Sequence, residues 1–150
     1  MCRSERFARV LRGLLLAALL LPGLALPARA GGIAVIVHPD NAQPPLSRDQ
    51  VAYLFLRKAK AFPGGGMAKP VLMPEHAPER MRFEREILRK EPLQIRAYWS
   101  RLVFTGRGKP PRSMPTVTDV KRYVASEPAA ISYIPANEVD ASVRVVYRLH

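Results

Sequence analysis

Two short stretches hold the residues in this chain best suited to grip an anion. In the run YWSRLVFTGRGKPPR over residues 98–112, Thr105, Gly106 and Arg107 set a hydroxyl, a permissive backbone and a guanidinium side by side. Earlier, His76 and Ala77 precede Pro78, Glu79 and Arg80, where proline marks the first turn of a helix. A helix start carries unpaired N–H groups and the positive end of the dipole, which suits phosphate or another oxyanion. The amides of Ala77, Glu79 and Arg80, with the side chains of His76 and Arg80, would then converge on one ligand. The 105–112 loop offers solvated, flexible charges instead, so the helix start is the favoured of the two sites.

Catalytic chemistry finds little support. His38, His76 and His150 are not spaced as a metal pair, and no serine sits in a strand-turn-helix elbow. Gly64-Gly65-Gly66 lacks the Lys-Ser/Thr of a nucleotide-binding loop and reads as a mobile turn. Glu84 and Glu86 lie among Arg80, Arg82, Arg89 and Lys90 at spacings that favour ion pairs along a helix. The chain therefore reads as a non-enzyme with no metal and no cofactor.

The first residues set the compartment. Arg3, Arg6, Arg9 and Arg12 precede the apolar run 14–21, Pro22-Gly23 breaks it, and Ala28-Arg29-Ala30 places small residues where a signal peptidase cuts. Residues 1–30 are expected to be a cleaved secretory signal, and the apolar run is far short of the roughly 20 residues that span a bilayer. The exported product is thus not membrane-spanning. Cys2, the only cysteine, falls within the signal, which excludes disulfides and thiolate chemistry from the remainder. Residues 31–150 form one domain-sized piece with 19 basic and 11 acidic residues, a net charge of +8. That excess attracts anions without choosing among them, and an exported protein has no natural access to cytoplasmic nucleic acid.

Strand and helix patterns alternate along that piece. IAVIV (33–37) is a short β-branched run, as in a strand buried on both faces. In SRDQVAYLFLRK (47–58), Ser47 and Gln50 are spaced as a capping box ahead of Val51, Leu54 and Phe55. A flexible FPGGG (62–66) leads to a strand over 70–73, then a helix from Pro78 through Lys90. Pro92 opens the next helix, in which Ile95, Tyr98, Trp99, Leu102 and Val103 form one apolar stripe that makes Trp99 a core residue. Gly106 suits the left-handed end of that helix, and Pro110-Pro111 prevent a restart. Thr116 or Thr118 caps a fourth helix with Val120, Tyr123 and Val124 inward. Strands at 130–134 and 143–149 follow, the last alternating Val143, Val145, Tyr147 and Leu149 with Arg144 and Arg148. The order βαβαααββ predicts an α/β fold with a largely parallel sheet flanked by helices.

The succession of a first apolar strand, SRDQVAYLFLRKAKAFPGG, PVLMPEHAPERMRFEREIL, QIRAYWSRLVFTGRGKPP and PAAISYIPANEVDASVRVV resembles the small, single-lobe members of the phosphate-type periplasmic substrate-binding protein superfamily over most of residues 33–149. The resemblance implies a type II binding-protein-like lobe and capture of an oxyanion for an ABC transporter. In those relatives the segment between the second strand and its helix carries Arg or Gln, then Gly and Ser, whose hydroxyl and amides hold the anion. Met73, His76 and Ala77 stand at the matching positions here.

Three functions are compatible with these observations: an exported domain holding phosphate or another oxyanion; a ligand-less interaction or sensory module serving an envelope transporter or signalling protein; and attachment to anionic envelope polymers through the Arg-rich helix.

Overall fold

The computed structural model describes residues 31–150, so the expected signal segment lies outside the described residues. Strand β1 (Ile33–Val37) is five apolar, mostly β-branched residues in a row, and every one is fully buried. Helix α1 (Arg48–Phe55) follows, then β2 (Lys69–Leu72), α2 (Pro78–Glu86) and α3 (Pro92–Phe104). A two-residue strand β3 (Arg112–Ser113), helix α4 (Val117–Ser126), strand β4 (Ala130–Pro135), a 3₁₀ turn (Ala136–Glu138) and strand β5 (Arg144–Leu149) complete the order.

The sheet runs β3-β2-β4-β1-β5. β2 is parallel to β3 and to β4, whereas β1 is antiparallel to both its neighbours, β4 and β5. Four strands thus point one way and β1 alone opposes them, which makes the sheet largely parallel, as expected. Pro70 removes one ladder donor from β2. Ser132, fully buried on β4, donates its hydroxyl to the Val71 carbonyl at 2.9 Å and so adds a side-chain tie between β4 and β2. The centre of the core is aromatic: Phe55 meets Phe83 and Tyr133 edge-on at 4.8 and 5.6 Å between centroids, and Phe83 and Tyr133 stack.

Local chemistry explains the helix ends. The Ser47 capping box forms as predicted, with Gln50 N–H donating to Ser47 Oγ and Ser47 N–H to Gln50 Oε1. α1 stops before Lys58 because Arg57 turns left-handed, φ 58°. The second helix, expected through Lys90, ends at Glu86; the Leu88 amide turns back to Phe83 O, and Arg89 is left-handed at φ 52°. α3 starts from an unforeseen capping box, in which Glu91 caps and Gln94 Oε1 accepts from the Glu91 amide. Thr116, rather than Thr118, caps α4 by accepting from the Asp119 amide.

Three expectations change. Val103 was placed on the inward stripe of α3 but is 52% exposed; Ile95 and Trp99 alone are buried on that helix. Along β5 the alternation breaks at a bulge, since Val35 pairs with Tyr147 but Ile36 with Val145, so the skipped Val146 turns inward and is buried. The glycine turn is pinned rather than mobile. Buried Gln43 accepts from Gly64 N–H at 2.8 Å and donates to Gly65 O at 2.9 Å, while Phe62 and Gly66 close the turn through the backbone.

Candidate functional site

The helix start at α2 is set by β2, whose end leads through 73–77 into Pro78. Ala77 is the N-cap, extended and without a side-chain acceptor, and Pro78 occupies the first turn. Few amides remain to converge on a ligand. Ala77 N–H donates to Pro74 O and Arg80 N–H to Ala77 O; Pro78 has none, and the Glu79 amide has no partner among the described residues. Arg80 is engaged as well. Its Nε donates to Glu84 Oε1 at 3.0 Å, and Nη1 donates to Met73 O at 3.0 Å and to Ser113 Oγ at 2.8 Å. The Arg80 and Glu84 side chains are only 13% and 11% exposed, so the guanidinium ties α2 to the ends of β2 and β3 with its charge already balanced. His76 is exposed and borders a hollow of about 220 Å³ with Glu75, Glu84, Arg80 and Arg96, where the two signs cancel.

At the other candidate, Thr105, Gly106 and Arg107 form the end of α3. Thr105 Oγ1 donates to Arg101 O, and the Thr105, Gly106 and Arg107 amides donate to Arg101, Val103 and Leu102 carbonyls. Gly106 takes φ 66°, the left-handed stop expected of it. These amides hold the helix terminus and are not available to an anion, but the Arg107 side chain is.

Arg107 lies on a basic cleft of about 500 Å³ at the start of β2 and β3, away from the α2 start. Three chain segments supply its cations: Arg57 and Lys60 from the α1–β2 connection, Lys69 from the first position of β2, and Arg107, Lys109 and Arg112 from the segment leading into β3. Pro110 and Pro111 stiffen that last segment, and the half-buried Tyr123 of α4 closes one side. The left-handed turn at Arg57 aims its side chain there despite the cost of positive φ in a non-glycine residue. Lys69 is paired with Glu127 at 2.8 Å. The hydrogen bond from Lys69 holds the Glu127 carboxyl below its ordinary value, helped by the Ala129 amide, and the same bond raises Lys69. Arg57, Lys60, Arg107, Lys109 and Arg112 have no carboxylate partner among the described residues.

The sequence marks Arg107 and the charges of the 105–112 loop, but not Arg57, Lys60 and Lys69, as candidates. Arg57, Lys60 and Lys69 lie 40 to 55 positions earlier than Lys109 and Arg112, and only the parallel pairing of β2 with β3, through a strand of two residues, brings them together. Among the described residues, no group of three or more His, Asp or Glu is placed to hold a metal, and no helix is long and apolar enough to cross a membrane.

No protein-family model matches the chain, and no curated protein sequence does. Solved structures do match. A phosphate ABC transporter substrate-binding protein of Clostridium perfringens, with bound phosphate, superposes at a TM-score of 0.63 and 22% identity, covering 77% of this chain and 44% of that one. An ABC-type phosphate transport receptor of Vibrio cholerae gives 0.58 and 17% identity over 77% and 45%, and PstS of Borrelia burgdorferi gives 0.56 and 8% over 77% and 47%. The chain spans less than half the length of each. Its fold is that of one lobe of the phosphate-type substrate-binding proteins.

Proposed function

We propose that this chain is an exported oxyanion-binding domain of the substrate-binding-protein type, serving as a substrate-binding component of a phosphate ABC transport system. The fold of the three phosphate receptors supports the class of ligand. The observation that carries the reading is the basic cleft, where five cations without carboxylate partners face one space. Such a cluster repels itself, and an anion relieves that repulsion while gaining from the summed field. The helix-start site, with His76, Ala77, Glu79 and Arg80, competes less well because only the Glu79 amide is open and Arg80 is balanced by Glu84.

Titration calorimetry of residues 31–150 with phosphate and sulfate at low and high salt tests the reading. Binding that weakens with salt and is weakened further by Arg107→Ala, but not by His76→Ala, is the expected result; weakening in His76→Ala alone would return the site to the α2 start. No heat from any oxyanion at millimolar concentration would overturn ligand capture.

A second reading, a ligand-less envelope interaction module, is favoured by one feature. Leu93, Val103 and Phe104 on α3 are 71%, 52% and 93% exposed, an unusual presentation of large apolar side chains.

A further inference from the structure

We infer that the basic cleft takes a linear oligophosphate, a chain of two or more linked phosphates, in preference to a single orthophosphate; this rests on the oxyanion reading above. Size is the first argument. The open cleft, about 500 Å³, has room for a ligand of many atoms, whereas one phosphate displaces only a few waters at about 30 Å³ each.

The distribution of charge is the second. The cations are not gathered round one point; they come from the α1–β2 connection, from β2 and from the segment entering β3. Arg57, Lys60, Lys69, Arg107, Lys109 and Arg112 are all exposed, each on a long, mobile stem. Among the described residues that line the cleft, no fully buried side-chain donor waits to strip water from a compact anion, as a trap for a single phosphate would require. An exposed ion pair is worth little by itself. A ligand carrying several linked charges engages the cations together, and each contact after the first is intramolecular. The Pro110-Pro111 segment restricts the backbone from which Lys109 and Arg112 project, so on that side of the cleft only the side-chain stems remain to be ordered when the ligand arrives.

Orthophosphate, pyrophosphate, tripolyphosphate and citrate, titrated into residues 31–150 at one ionic strength, separate the possibilities. Tripolyphosphate is expected to bind at least about tenfold more tightly than orthophosphate, with pyrophosphate between them. The double change Lys60→Ala with Lys109→Ala, on exposed side chains from two different segments, should reduce that ratio to within about threefold, while Arg101→Ala on another face of α3 leaves it unchanged. Equal affinities for orthophosphate and tripolyphosphate would overturn the inference and leave the oxyanion function standing. Citrate binding as tightly as tripolyphosphate would overturn it too, by showing that charge alone is read. Silence from all four ligands would remove the oxyanion function itself.

Discussion

The ring of Tyr133 lies flat on that of Phe83, 3.8 Å between centroids and 2° from parallel, and its buried hydroxyl has no well-formed hydrogen bond among the described residues. Burial pushes the phenol well above its ordinary value, so it stays neutral at all working pH. A buried hydroxyl without a partner costs stability, and the stack does not need it. Tyr133→Phe is therefore expected to leave stability unchanged or to raise it by up to about 1–3 kcal/mol. Chemical denaturation checks this, and a loss of more than about 1 kcal/mol would mean that the hydroxyl is satisfied by the nearby Met73 backbone or by water.

Arg80 behaves as a structural clamp in this geometry. Arg80→Ala strands the buried Glu84 carboxylate and frees Met73 O and Ser113 Oγ, so the cost is expected to be about 3–5 kcal/mol. Adding Glu84→Gln should recover part of it. If Arg80→Ala instead leaves the denaturation midpoint in place while weakening anion binding, the α2 start is the ligand site after all.

Helix α3 is attached through few residues. Trp99 is 9% exposed and meets Tyr98 edge-on at 4.9 Å, and Tyr98 donates its hydroxyl to Leu56 O at 2.7 Å. Trp99→Ala should destabilise the domain by about 3–5 kcal/mol. Hydrogen exchange should quicken first in residues 92–104, since Ile95 is then their one remaining buried anchor. Uniform protection across the variant would contradict this picture of the docking.

Acid should unfold the domain partly through Asp140. The Lys121 ammonium and the Ser142 hydroxyl and amide hold its carboxyl far below the ordinary value near 3.9. A depressed carboxyl contributes stability above its unfolded value, and that contribution disappears as pH falls through the folded one. Asp140→Asn should thus flatten the loss of stability below about pH 4 and leave its shape above pH 5 unaltered. Denaturation midpoints measured from pH 7 down to pH 2 test this, and parallel curves for the two proteins would sink the assignment.

Much of the fold was legible in the residues themselves. The five apolar residues of β1, the Ser47–Gln50 box and the left-handed Gly106 are short-range devices, and each appears where the pattern puts it. What escaped was non-local. β3 has two residues and no hydrophobic signature, and it exists because β2 offers an edge. The inward turn of Val146 depends on a bulge against β1, more than a hundred residues away. The cleft escaped for the same reason: Arg57 and Arg112 look like unrelated surface charges until β2 and β3 pair. At the α2 start the pattern marks the helix N-terminus, but the Ala77 and Arg80 amides expected to hold an anion are taken by Pro74 O and Ala77 O, contacts that no residue spacing announces.

The reversed strand β1 also dictates an order of events. It lies between β4 and β5, with Ile33 opposite Pro135 on one side and Leu149 on the other, so the first of the five described strands is completed only by the last two. Until residues 130–135 have emerged, a five-residue apolar segment has neither neighbour, and one of its edges stays unpaired until β5 follows. Closing loops of about a hundred residues makes that step slow, because chain entropy is lost before the ladder forms. From β1 to β4 the chain thus carries an apolar strand with no ladder of its own, which must be kept from pairing with other chains until its partners arrive.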